Sequence, residues 1–231
     1  MQPETRYVRT PRGDIAYQVV GEGKRDLVYL SGMVTHLDLT WDFPEAERYL
    51  TRLASFSRLI LFDRRGTGIS EAIAQDEQLS WSGWLDDLRA VLDATGSKSA
   101  ALLAERDAGS VAMQFAASEP ERVSALILAN TSARYLAAPD YPCGESPQVA
   151  EQLVRTVHEL WGSERMTALA MPSRADDTNF LRVSARFQRA SATPSTAARQ
   201  YRFFFSRDAR EVLPQISCPT LVMHRREYPF L

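Results

Sequence analysis

Residues 100–130, AALLAERDAGSVAMQFAASEPERVSALILAN, decide the fold. Residues 100–104 are a short apolar run of strand length. Glu105, Arg106 and Asp107 break it sharply, and small and apolar residues then continue as a helix through about Ser118. Glu119-Pro120-Glu121-Arg122 closes that helix, and residues 123–130 return to strand character. A strand, a helix and a second strand in this order make a βαβ unit, the building block of a parallel sheet.

Working outward, residues 81–95 place Trp81, Trp84, Leu85, Leu88, Val91 and Leu92 at helical spacing, with Gly96 as the stop. Residues 27–30 and 58–63 read as buried strands, followed by Ser31-Gly32 and by Arg64-Arg65-Gly66-Thr67-Gly68. Between them residues 44–54 have helical character, with Tyr49, Leu50 and Leu53 on one side. Residues 5–10 and 14–20 form a hairpin around Pro11-Arg12-Gly13. Downstream, residues 132–214 hold helical segments, a turn-rich stretch at 138–144 and no convincing strand; residues 218–223 are strand-like again. The expectation is one domain over residues 1–231: an α/β fold with a mostly parallel sheet, an N-terminal hairpin, a core of residues 1–131 and 215–231, and a helical cap over about 132–214.

Composition narrows the function classes. The 231 residues are 45% hydrophobic, enough for one medium-sized core, and no apolar run approaches the length of a membrane span. The N-terminus lacks the apolar run of a signal peptide, so a soluble, cytoplasmic protein is expected. Cys143 and Cys218 lie far apart and read as free thiols, with no metal spacing and no cofactor motif. A formal charge of −2 gives no global attraction to nucleic acid or anionic lipid. The local series Arg182, Arg186, Arg189, Arg199, Arg202, Arg207 and Arg210 reads as the solvated face of helices.

Three motifs carry a resemblance. Leu30-Ser31-Gly32-Met33, the run from Phe62 to Ser70 (FDRRGTGIS) and Ser118-Glu119-Pro120-Glu121-Arg122-Val123 together resemble the α/β-hydrolase superfamily over nearly the whole chain. More narrowly, residues 52–70, 132–144 and 218–230 look like the hydrolase-type domain fused to class III adenylate/guanylate cyclases in actinobacteria; no cyclase domain is expected within residues 1–231.

In active members the third parallel strand runs into G-x-S-x-G, a strained elbow that presents a nucleophilic serine to the site. Here the stretch is Ala104-Glu105-Arg106-Asp107-Ala108, so the resemblance puts Arg106 at the nucleophile position. Ala104 and Ala108 are small enough for the turn to survive, but a permanently protonated guanidinium cannot attack an acyl carbon. Asp107 falls one residue late for a nucleophile and is expected in the first helical turn, suiting the dipole or pairing with Arg106. Ser110 is expected to face a neighbouring element.

The resemblance implies an acid after the strand at 220–223; Tyr228 stands there, with Glu227 as its neighbour. It implies a histidine after one further strand, which is absent, so the fold is expected to be C-terminally truncated. His36, His158 and His224 read as surface or structural histidines. The loop of Met33, with the amide of Asp107, resembles an oxyanion hole, or is a tight turn with no catalytic task.

The sequence therefore points to a catalytically degenerate α/β-hydrolase-fold protein, a ligand-sensing or regulatory module or a remnant of a hydrolase–cyclase fusion. The alternative is an active hydrolase of carboxylic esters or related acyl compounds with a non-standard site around Asp107, Glu227 and a histidine supplied by a partner. Arg106 and His36 are the candidate ligand contacts, for a small apolar or anionic molecule. Cap aromatics (Tyr135, Tyr141, Trp161, Phe180, Phe187, Tyr201, Phe203, Phe204, Phe205) either line a cavity or form core. An unpaired edge at 220–223 would invite self-association.

Overall fold

The computed structural model describes residues 3–74 and 76–226. In chain order the elements are β1 (Arg6–Thr10), β2 (Gly13–Val20), β3 (Asp26–Leu30), α1 (Leu37–Thr40), α2 (Pro44–Ala54), β4 (Arg58–Phe62), α3 (Trp81–Ala94), β5 (Ala100–Glu105), α4 (Ala108–Ser118), β6 (Val123–Ala129), α5 (Pro147–Leu160), α6 (Glu164–Ala170), α7 (Thr178–Ser191), α8 (Pro194–Phe205) and β7 (Thr220–Met223). A 3₁₀ turn at Pro120–Arg122 leads into β6, and another at Arg210–Gln215 precedes β7.

The strands form one seven-stranded sheet in the order β1-β2-β4-β3-β5-β6-β7. β1 and β2 are the antiparallel hairpin, β2 meets β4 antiparallel, and every pairing from β4 to β7 is parallel. Both faces of the parallel strands β4, β3, β5 and β6 are covered, which is why these strands read as continuous apolar runs rather than alternating ones. On one face Val28, Ile60, Leu102 and Leu126 pack with Leu88 and Val91 of α3 and Phe115 of α4. On the other, Leu27, Leu59, Leu61 and Leu103 pack with Leu37 of α1 and Leu50 and Ala54 of α2.

Each helix between β6 and β7 starts on a side-chain cap: Ser146 accepts the Val149 N–H (3.2 Å), Ser163 that of Met166 (3.1 Å), Asp177 that of Phe180 (2.9 Å) and Thr193 that of Thr196 (3.2 Å). Proline follows the cap in α5 and α8, where its missing N–H costs nothing. This helical segment is tied to the loop after β4. Gln200 donates to the Gly66 carbonyl (3.1 Å), the Gly68 N–H to Ser191 (2.8 Å), and Arg199 to Ala74 (3.1 Å) and Glu77 (2.5 Å) carbonyls.

Two expectations change. Helix α1 adds an element that the sequence does not signal, because four residues started by His36 have no periodic signature. The basic series is not uniformly solvated: Arg182, Arg186, Arg189 and Arg202 are exposed, but Arg207 is buried, 3% exposed. Arg207 lies beyond the end of α8, so helical periodicity has no hold on it. Among the described residues β7 is an edge strand with all four residues exposed, and no helix is long and apolar enough to cross a membrane.

Candidate functional site

The strand-to-helix turn after β5 has the backbone of an elbow. Arg106 sits at φ +52°, one of two non-glycine residues with positive φ among those described. The conformation is held from three sides: the Arg106 N–H donates to Ala129 (3.1 Å), and its carbonyl accepts the Gly109 N–H (3.1 Å) and the Tyr135 hydroxyl (3.1 Å). Small neighbours allow the close approach. Ala104 and Ala108 are fully buried, and a Cβ on Gly109 would collide with Thr131. The loop of Ser31, Gly32 and Met33 lies over the turn, since a Cβ on Gly32 would stand 3.5 Å from Arg106 Cδ and 3.3 Å from Asp107 Oδ1.

Above the elbow is an open cavity of about 490 Å³. Arg106, itself exposed, shares its polar end with Tyr29, Ser31 and Thr35. Phe43 of the α1–α2 connection packs edge-on against Phe187 (5.4 Å between centroids) and Phe180 (6.4 Å), and these with Trp161 make an apolar wall. Arg174 also lines the cavity, bridging Glu45 (3.5 Å) and Asp177 (2.7 Å) while lying 4.1 Å over the Phe180 ring. At the polar end Tyr49 donates to Glu105 (3.4 Å); burial pushes its phenol up to about 12 and also raises that of Tyr29 well above the usual phenol value. Both phenols are therefore neutral donors near pH 7, not nucleophiles.

Asp63, just after β4, is a buried carboxylate among the cavity-lining residues, and its hydrogen bonds are architectural. Oδ2 accepts the N–H of Leu37 (3.0 Å) and of Ile69 (3.0 Å), tying α1 and the following loop to the strand end. Burial raises its carboxyl above the usual range, against these bonds.

The predicted site residues separate. Asp107 caps α4 without a side-chain cap bond; its carboxylate, 1% exposed, reaches Arg64 Nη2 at 2.8 Å and Arg207 Nη2 at 3.9 Å. Ser110 donates to the Asp107 carbonyl (2.9 Å), a bond within its own helix turn rather than to a neighbouring element. His36 caps α1, Nδ1 accepting the Leu39 N–H (3.4 Å), and is not among the cavity-lining residues. His224 is exposed beyond β7, and His158 is paired only loosely with Ser195 (3.5 Å) on an exposed face. Glu227 and Tyr228 lie outside the described residues. Of the aromatics, Trp161, Phe180, Phe187 and Tyr201 line the cavity; Phe203 packs on Trp84 (5.1 Å), and Tyr135 on Phe204 (4.0 Å). Among the described residues no cluster of His, Cys, Asp and Glu could hold a metal ion.

The family model described as alpha/beta hydrolase fold matches residues 28–227. The chain belongs to the alpha/beta hydrolase fold family. Its structure is similar to that of a hydrolase from Pseudomonas aeruginosa (22% identity, 95% of this chain and 79% of that one, TM-score 0.73). It is also similar to an esterase from Exiguobacterium antarcticum (19%, 96% and 81%, 0.76) and the enol-lactonase from Burkholderia xenovorans LB400 (20%, 94% and 80%, 0.69). At such identities the likeness carries the fold alone. No curated protein matches the chain.

Sequence reading of this alpha/beta hydrolase fold chain missed Arg64, Arg174 and Arg207. Arg64 stood in the quoted loop motif, but no pattern signals that its guanidinium is buried; Arg174 and Arg207 are placed by contacts across 129 and 100 residues of chain, Glu45 and Asp107 being the partners (174 − 45 and 207 − 107).

Proposed function

We propose that this chain is a non-catalytic member of its family that binds a small molecule with an apolar body and an anionic head in the cavity beneath the helices of residues 132–214, which act as its cap. The supporting observation is Arg106: it occupies the positive-φ position of the elbow and brings a fixed positive charge to the polar end of a cavity whose wall is partly aromatic. A carboxylate or phosphate meets such a guanidinium with charge-assisted hydrogen bonds; an uncharged ester does not. Asp107, the acidic residue that follows Arg106, is paired with Arg64 and is not among the cavity-lining residues. The finer resemblance to cyclase-fused domains fits a sensing role in the cytoplasm, with the exposed β7 edge as a self-association surface.

The second reading is an active ester hydrolase, favoured by the family and by the hydrolases among similar structures. A p-nitrophenyl ester panel and a thermal-shift titration with decanoate separate the two. The expected result is no turnover above background, stabilisation by decanoate, and about tenfold weaker binding in Arg106→Ala, the loss of one charge-assisted contact. Turnover abolished by Asp107→Ala or Glu227→Ala establishes the second reading; equal decanoate binding in both proteins removes Arg106 from the site.

A further inference from the structure

On the helix side of the elbow, apart from the cavity, two guanidiniums are buried against one carboxylate. Arg64 follows β4 and is 4% exposed; Arg207 follows α8 and is 3% exposed; neither lines the cavity. Both converge on Asp107 Oδ2, at 2.8 Å and 3.9 Å, and Arg207 also reaches the Asp107 carbonyl at 3.5 Å. Both guanidiniums lie on the Trp84 ring, at 4.7 Å and 4.8 Å from its centroid. Arg207 is further enclosed by Trp81 (4.9 Å) and Phe203 (5.0 Å).

Two cations and one anion leave this pocket with one uncompensated positive charge. Of the other buried carboxylates nearby, Asp87 pairs with Arg65 (3.1 Å), and Asp63 accepts the Leu37 and Ile69 amides through Oδ2 while its Oδ1 makes no hydrogen bond among the described residues. Among the described residues, Arg64 Nε, Nη1 and Nη2 and Arg207 Nε and Nη1 have no hydrogen-bond acceptor, and neither Asp107 carboxylate oxygen has an aligned donor. The short Arg64–Asp107 contact is thus an ion pair by distance without hydrogen-bond geometry, and it does not satisfy the donors.

Burial pushes the Arg207 guanidinium down to about 9, and Arg64 pushes it the same way, against the pull of Asp107. Aromatic faces attract a cation but do not accept several N–H bonds at once, so the shortfall in acceptors remains. The start of α4 adds further positive potential here.

We propose that Arg64 and Arg207, beside Asp107, form an internal site for a small monovalent anion of halide or formate size. One negative charge restores neutrality and supplies the missing acceptor to both guanidiniums; a divalent anion would only invert the imbalance. The site is independent of the cavity ligand and of whether the chain is catalytic.

The test uses the full chain freed of halide by dialysis into gluconate, with the melting temperature followed as bromide or formate replaces gluconate from 1 to 100 mM at constant ionic strength. The expected result is a rise of several degrees with bromide or formate and none with sulfate. Bromide-soaked crystals should give an anomalous peak between the Arg64 and Arg207 guanidiniums. A response to bromide alone identifies a spherical anion, and one to formate alone a carboxylate. Asp107→Asn removes the resident negative charge and should lower the half-saturating anion concentration about tenfold. Arg64→Met, which leaves Asp107 and Arg207 balanced, should abolish the response. A melting temperature in the wild-type chain indifferent to both anions, or an unchanged half-saturation in Asp107→Asn, overturns the proposal; if either variant fails to fold, the wild-type titration and crystal decide it.

Discussion

At φ +52° a side chain costs about 1–2 kcal/mol relative to ordinary helical or extended backbone, and Arg106 bears that cost within three hydrogen bonds that fix its peptide. The turn geometry therefore does not require a serine: it depends on Ala104, Ala108 and Gly109 beneath it and not on the side chain it displays. Gly68 shows the opposite case, a residue whose identity is dictated. Its φ is +55°, and a Cβ there would collide with the Asp63 carboxylate that holds Leu37 and Ile69. Gly68→Ala should lose about 2–4 kcal/mol in urea unfolding, from left-handed strain plus overpacking at a buried carboxylate. An unshifted midpoint would mean that the loop yields freely.

At the scale of elements, α3 presents its apolar stripe to the sheet and carries a buried carboxylate. Asp87 is 1% exposed and pairs with Arg65, itself shared with Glu77 (3.0 Å). Burial raises the Asp87 carboxyl to about 6, the Arg65 charge offsetting only part of the desolvation. Below about pH 4 the group is neutral in both folded and unfolded chains. Between there and about 6 only the folded chain keeps the proton, so this group's contribution to stability is lost as pH rises through that window. Asp87→Asn is neutral throughout. The stability of wild type relative to Asp87→Asn should therefore fall by about 2 kcal/mol between pH 4 and 7 in chemical denaturation. A relative gain with rising pH would show the Arg65 pair to outweigh desolvation.

At the scale of the whole molecule, among the described residues the sheet is covered on both faces from β4 to β6 and left open at β7, where Leu221, Val222 and Met223 are 54%, 57% and 42% exposed. A parallel strand that is apolar on both faces and paired on one side only is a template for another strand. Sedimentation velocity should show association that grows with concentration, and Val222→Lys should return the chain to monomer. A wild-type chain that stays monomeric at hundreds of micromolar would exclude this edge as the contact.

The sequence determined what depends on neighbours along the chain. Helical spacing over residues 81–95, short apolar runs, and turn residues such as Gly96 and Pro11-Arg12-Gly13 carried the order of strands and helices, and the family resemblance put Arg106 at the turn. The short motifs, being local, were legible enough to indicate the family. Only tertiary structure decided where charges ended. Arg207 had been read with solvated arginines, yet it is buried against Trp84 and Asp107, and His36, expected in the ligand site, caps α1 outside the cavity lining. The reason is physical: burial of a long, charged side chain depends on what packs over it from 100 residues away, and no local pattern records that distance.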